Sequence, residues 1–259
     1  MTQKPETLAP QHLPRQSTAP LHQEAAMTEP SYVVAPPPAI SIGVRDSAAR
    51  FPIHRIYCVG RNYEAHAVEM GHDPKRELEP PFFFLKNPDD VVEPGTPVPY
   101  PPQTADLHHE VELVVALQSG GSDIDRESAL SHVYGYAVGI DLTRRDVQAA
   151  AKKTARPWAT AKAFAASAPV SEIVPAAAIG HPASGRLTAS VNGQPRQQGD
   201  IADMIWSVPD IIAHLSRWFV LAPGDLIFTG TPAGVGGLER GDVVVATIDG
   251  IGRLDVTIR

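Results

Sequence analysis

Cysteine is nearly missing from this 259-residue sequence: Cys58 stands alone, which excludes an internal disulfide and any zinc site built from several thiolates. A reducing, cytoplasmic setting is the expectation. Long apolar runs are missing too. No stretch approaches the roughly 18 consecutive apolar residues that span a bilayer, and the N-terminus lacks the short apolar run of a signal peptide. Clusters of basic residues are a third absence: 22 Lys and Arg face 29 Asp and Glu, for a net charge of −7. Lys and Arg occur together only as short pairs, so a phosphate-tracking surface is excluded and nucleic acid is not an expected partner. Small-molecule chemistry is what these absences leave.

Residues 1–30 hold no aromatic, Val or Ile side chains and are rich in Pro, Gln, Thr and Ala, a composition that predicts a disordered extension. Met27 is a candidate translation start. Residues 31–50 read as an extended lead-in, and 51–259 as one domain, since 43% hydrophobic content over this length supports a real core.

Within that domain, Ile56–Val59 form a short buried strand ending at Gly60. Asn62 is a plausible cap for a helix over Tyr63–Met70, with Gly71 as its stop. From Phe82 onward strands and turns dominate: FFFLK, TPVPY, HHEVELVVAL, GYAVGIDLT, GRLTASVNG, DLIFTGT, DVVVATID and GRLDVTI. Two further helices are expected, Arg144 to about Lys153 and Ser207–Phe219. In the second, Pro209 fits the first turn and Ile211, Ile212, Leu215 and Phe219 share a core-facing side.

His-His-Glu-Val-Glu-Leu-Val-Val at 108–115 carries the sharpest chemical signal. Strand side chains alternate, so Glu110 and Glu112 share one face while Val111, Leu113 and Val115 take the other. Two adjacent like charges call for a cation or full solvation. Asp141 ends the apolar strand Tyr136–Ile140 and adds a third carboxylate. Three acids without thiolates suit a hard ion such as Mg²⁺, Mn²⁺ or Ca²⁺, a His108–Glu110–Glu112 set for a softer metal is the competing ligand choice, and a solvated acidic edge is the alternative to both.

Arg145 and Gln148 lie three apart at the start of the following helix, where a guanidinium and an amide could grip a carboxylate. Arg144 and Asp146 read as an ordinary solvated face. Lys162 is a lone cation among small residues, expected either to reach the acidic cluster or to extend to water. Thr229–Gly236 is a Gly-rich loop without the Lys-Ser/Thr of a phosphate loop, suited to close approach of backbone to a ligand. His66 and Glu69 share a helix face and are able to act on one water, although that spacing also fits a solvated face.

GRNYEAHAVEMG, PPFFFLK, DLHHEVELVV, GYAVGIDLTRRDVQ, RPWATAKAF, VNGQPRQQGD and PGDLIFTGTPAGVG, in that order, resemble the fumarylacetoacetate hydrolase family, in particular its fumarylpyruvate hydrolase and acylpyruvase branch. The resemblance implies an α+β, predominantly β fold, the mixed β-roll of that family's C-terminal domain, with a lid near residues 62–80 and a homodimeric assembly. It implies a hydrolase acting on a carbon–carbon bond of a small β-diketo acid, with fumarylpyruvate as the leading substrate. Oxaloacetate decarboxylation, general acylpyruvate hydrolysis and isomerisation of a 2-hydroxymuconate-type diene are the enzyme rivals, and a metal-stabilised binding protein is the non-enzyme one. By the same resemblance Glu110, Glu112 and Asp141 match the Mg²⁺ or Mn²⁺ ligands and Lys162 the lysine beside them. Arg145, Gln148 and Thr231 match positions holding the substrate carboxylate, and His66 and Glu69 match the pair that activates water. Ala159 and Ala165 depart from acidic residues common in such sequences.

Overall fold

A computed structural model describes residues 31–71 and 80–259, and it is mostly strand with few helices. The expectation for residues 1–30, and the part of the expected lid over 72–79, lie outside the described residues. Residues 39–259 form one compact unit.

Its centre is a mixed six-stranded sheet with the order Val174–Pro175, Val133–Ile140, Val111–Leu117, Leu226–Phe228, Ile56–Gly60 and Phe82–Lys86. All neighbours pair antiparallel except Leu226–Phe228 with Ile56–Gly60, which run parallel. The Val111–Leu117 strand is buried on both faces, which is why it reads as a nearly continuous apolar run. Leu113, Val115 and Leu117 pack with Leu187, Val244, Ala246 and Val256 of an antiparallel four-stranded sheet (Arg186–Val191, Gln194–Asp200, Val243–Ile248, Gly252–Thr257). Val114 and Ala116 face the other way, onto Ile42, Phe51, Cys58 and Phe228. Glu112 shares that second side, and its face ends at the functional site.

A three-stranded sheet, Gly236–Leu238, Leu107–His109 and Thr143–Arg144, crosses the end of the central one. The HHEVELVVAL run therefore breaks at Glu110, and the GYAVGIDLT run breaks at Asp141 and Leu142. Both breaks fall where the acids leave the ladder.

Several local expectations need correction. TPVPY is not a strand; Val98 makes only an isolated bridge to Ile258, because its prolines remove ladder donors. The Val208–Leu215 helix is capped by Ser207 and Asp210 but ends at Ser216, short of Phe219, and leaves Trp218 exposed. The helix after Gly60 runs Glu64–Glu69 with Tyr63 at its cap. Asn62 is not the cap: its amide donates to Trp206 O (2.9 Å) and Thr229 O (2.7 Å) and accepts from Trp206 N (2.7 Å), tying the helix start to two distant loops. The hairpin Ser41–Gly43 with Arg50–Pro52, the strand Gln194–Asp200 and the short helices Ala159–Lys162 and Ala176–Ile179 carry no pattern strong enough to mark them. Among the described residues no helix is long and apolar enough to cross a membrane.

Candidate active site

Register assembles the acids. Val111 pairs with Ile140, so the next step along both strands places Glu110 beside Asp141, and Asp141 N donates to Glu110 O at 2.8 Å. Phe228 pairs with Val114, so the loop leaving that strand reaches Glu112, where Gly230 N donates to Oε2 at 2.7 Å. Gly230 has φ +97°, and a Cβ there would lie 2.7 Å from Asn62 Cβ, so only glycine lets the loop close over the acid. Carboxylate oxygens of Glu110, Glu112 and Asp141 lie within 4.8 Å of one another. All three residues are buried, at 4%, 2% and 0% exposure, which overturns the solvated-edge alternative.

Lys162 reaches this cluster instead of water. Its Nζ donates to Glu110 Oε2 (2.7 Å), Asp141 Oδ2 (2.6 Å) and Thr143 Oγ1 (2.6 Å). Burial works against its charge, but Asp141 and Glu110 outweigh that and hold its pKa above the usual lysine value. Burial also works to raise the Glu110 carboxyl; Lys162 and then Arg145 overcome it and hold that group well below the ordinary range. Glu112 is the opposite case: burial, then Asp141, then Glu110, push it well above that range. Its only hydrogen bond among the described residues is the one from Gly230, so it is the carboxylate left short of positive charge.

That shortage is what a cation would relieve. Oxygen ligands sit about 2.0–2.6 Å from Mg²⁺, Mn²⁺ or Ca²⁺, so oxygens spread over this distance can close on one ion with small side-chain adjustments. The all-oxygen donor set and the cationic surroundings fit a hard divalent metal. His108 does not join it: its Nε2 bonds Asp106 at 2.9 Å, and the metal-capable group among the described residues contains no histidine. The His108–Glu110–Glu112 set is therefore not assembled.

Arg145 donates to Glu110 and, at 2.7 Å, to Gln148 Oε1. Both line a cavity that also receives His66, Glu110, Glu112, Lys162 and Thr231. Thr231 donates its hydroxyl to Val111 O at 2.8 Å and accepts from Gln197 at 2.7 Å, so its orientation is fixed by the strand below it. His66 Nδ1 lies 3.0 Å from Glu69 Oε2, leaving Nε2 as the nitrogen available to the cavity. Glu69 Oε1 in turn accepts from Gly234 N at 2.9 Å. The short helix is thus tied to the same Gly-rich loop that covers Glu112.

Residues 55–259 match the family described as Fumarylacetoacetate (FAA) hydrolase C-terminal. The chain belongs to the fumarylacetoacetate hydrolase family. Its relatives include a fumarylpyruvate hydrolase from a Ralstonia species, 41% identical over 189 residues, which cover 73% of this chain and 98% of that one. A mitochondrial oxaloacetate tautomerase from Mus musculus is 45% identical over 196 residues, 76% of this chain and 87% of the relative. Among solved structures, fumarylpyruvate hydrolase from Pseudomonas aeruginosa in complex with Mn²⁺ and pyruvate is 49% identical with a TM-score of 0.85, covering 88% of this chain and 99% of that one. The mixed, mainly β fold expected from the sequence is the fold of this family.

Three contributors to this family member's site were not assigned to it from the sequence. Lys86 is buried at the end of the FFFLK strand, with Nζ 2.9 Å from Asp141 Oδ1, 3.3 Å from Leu142 O and 3.0 Å from Ser167 Oγ, and it donates to Lys162 O. Its approach to Oδ1 is an ion pair without hydrogen-bond alignment, which leaves that oxygen open to a further partner. Strand alternation held the signal, because Phe82, Phe84 and Lys86 share a face. Gln197 joins His109, Val111 N, Thr231 and Pro232, and Asn62 joins Trp206 and Thr229. Contacts so distant in sequence leave no local pattern. Asp146 is exposed, as expected, and accepts from Thr104 and Ala105; Arg144 is half-buried and donates to Thr160 O at 3.0 Å.

Proposed function

We propose that this chain hydrolyses the carbon–carbon bond of a 2,4-dioxo acid, with fumarylpyruvate as its leading substrate and fumarate and pyruvate as products. The observation that carries this reading is one cavity holding both a buried, oxygen-only cation site and a carboxylate-oriented histidine. Glu110, Glu112 and Asp141 would hold Mg²⁺ or Mn²⁺, which when bound supplies Lewis-acid polarisation to the pyruvoyl end of the substrate. The likeness to a fumarylpyruvate hydrolase solved with Mn²⁺ and pyruvate supports the choice of ion and end.

Arg145 and Gln148 orient the substrate's 1-carboxylate, and Thr231 closes that end of the cavity. His66, held by Glu69, takes a proton from water at Nε2 while the water oxygen attacks the distal carbonyl carbon. Collapse of the tetrahedral oxyanion breaks the bond to the methylene carbon, and the electron pair leaves with the pyruvoyl half as its enolate. The enolate then takes a proton at carbon, giving pyruvate. Lys162 places a fixed positive charge beside that developing negative charge. The expected homodimer belongs to the same reading, and light scattering checks its mass.

The oxaloacetate tautomerase relative favours a second reading, in which the same enolate chemistry occurs without an attacking water. Incubation of the Mn²⁺-loaded protein with fumarylpyruvate, and separately with oxaloacetate, followed by chromatography distinguishes the two. Equal amounts of fumarate and pyruvate are expected. Pyruvate and CO₂ from oxaloacetate, or keto–enol exchange alone, with fumarylpyruvate untouched, would replace hydrolysis with the second reading.

A further inference from the structure

The cavity also has an aromatic wall with cations set on it. Phe82 and Phe84 project from one face of the edge strand and meet Trp158, with ring centroids 5.5 Å and 5.9 Å apart. Phe82 fits against the neighbouring strand because its partner is Gly60; a Cβ at Gly60 would lie 2.0 Å from the Phe82 ring. Arg61 lies over Phe82 at 4.9 Å and Lys152 over Trp158 at 5.2 Å. Both cations line the same cavity as Glu110, Arg145 and His66.

Lys152 stands apart from Lys162 and Arg145: those two already donate to buried carboxylates, whereas among the described residues Lys152 has no ion-pair partner, and partial desolvation and then Arg145 lower its pKa to about 8. Arg61 adopts φ +56°, a left-handed conformation that a long side chain rarely takes, and this sets its guanidinium at the cavity wall. Two cations on aromatic faces, additional to Arg145 and Lys162 in the same cavity, match a second anionic end on the substrate. The rings between suit a flat, unsaturated chain.

We infer that Arg61 and Lys152 bind a second carboxylate, at the far end of the acyl half, and that Phe82, Phe84 and Trp158 hold a planar unsaturated chain between the two acid ends. This rests on the hydrolase reading, and it selects diacids such as fumarylpyruvate over monoacids such as acetylpyruvate. Arg61 and Lys152 are substrate-binding residues here, without a part in bond breaking.

Two measurements test it. In the first, Mn²⁺-loaded wild type, K152M, K152R and R61M are assayed on fumarylpyruvate and acetylpyruvate. K152M and R61M are each expected to lose roughly 10- to 100-fold in kcat/KM on the diacid, through KM, the scale of one charged hydrogen bond, and under threefold on the monoacid. K152R is expected to restore most of the loss. Equal losses on both substrates, or none on the diacid, would overturn the assignment. In the second, calorimetry titrates fumarate and crotonate, two trans four-carbon acids differing in the distal carboxylate, into the same proteins. Wild type should bind fumarate at least about tenfold more tightly, and K152M should erase the difference. If wild type binds both acids equally, the distal site is wrong whatever the enzyme turns over. If the selectivity stands while no dioxo acid is cleaved, the hydrolase reading fails and the diacid site survives.

Discussion

The two halves of the cavity are built in contrasting ways. Glu110, Glu112 and Asp141 are placed by strand register at one end of two paired inner strands of the central sheet, and each is held by backbone or cationic partners. His66 and Glu69 ride on a six-residue helix tied down by Asn62 at its start and by Gly234 at Glu69. Asp141 is wholly inaccessible, while the Glu69 side chain is 31% exposed. A cation site needs its ligands fixed before the ion arrives, because buried like charges cannot wait unpartnered. The His66–Glu69 end, which the proposed function makes water-activating, needs only two short tethers and access for substrate. Under that proposal, an enolate-forming half in the sheet and a water-activating half on a short helix would let one scaffold carry either hydrolysis or tautomerisation.

Substitutions on the two sides should fail in different ways. Glu110→Ala has the largest expected effect: Mn²⁺ binding by calorimetry and turnover should both vanish, and thermal stability should fall because Lys162 and Arg145 lose a buried partner, a change worth about 3–5 kcal/mol. His66→Ala should lose roughly 10²–10⁴-fold in kcat while Mn²⁺ affinity stays at the wild-type value. Loss of metal binding in His66→Ala would erase the contrast. Lys162→Met should lower kcat by roughly 10²–10³-fold, the scale of one electrostatic stabiliser, and tighten the separation by changing Mn²⁺ affinity as well. Asn62→Ala should destabilise the fold by roughly 1–3 kcal/mol in chemical denaturation, since it strands buried polar groups of Trp206 and Thr229.

The smallest effect is on pH. Lys152, shifted down to about 8 mainly by desolvation, is charged below that pH and neutral above it, with Arg145, Glu110, Arg61 and Lys162 as its charged neighbours. The kcat/KM for a diacid should therefore fall as pH rises through about 8, and K152R should abolish that limb.

The acids were legible in the sequence because strand alternation and the absence of thiolates are local facts, and Glu110, Glu112 and Asp141 sit at strand ends that the pattern marks. Local pattern also gave the Ser207 cap and the His66–Glu69 pairing. It failed where the chain makes distant contacts. Asn62 looks like a helix cap within its own segment, yet its amide is spent on residues more than 140 positions away. Lys86 ends an edge strand, and the Ala159–Lys162 helix and the Asp141 turn, both distant in sequence, close over it. Whether the acidic face of the 108–115 segment met water or a cation was open until register brought Asp141 and Lys162 to it.

Hydrolysis by a His66-activated water is tested most directly by turnover in H₂¹⁸O. Mn²⁺-loaded protein should convert fumarylpyruvate to fumarate carrying one ¹⁸O in the carboxylate formed at the cleaved bond, and His66→Ala should release labelled fumarate at least about 10²-fold more slowly. Consumption of fumarylpyruvate without labelled fumarate, or unchanged labelling rates in His66→Ala, would contradict it.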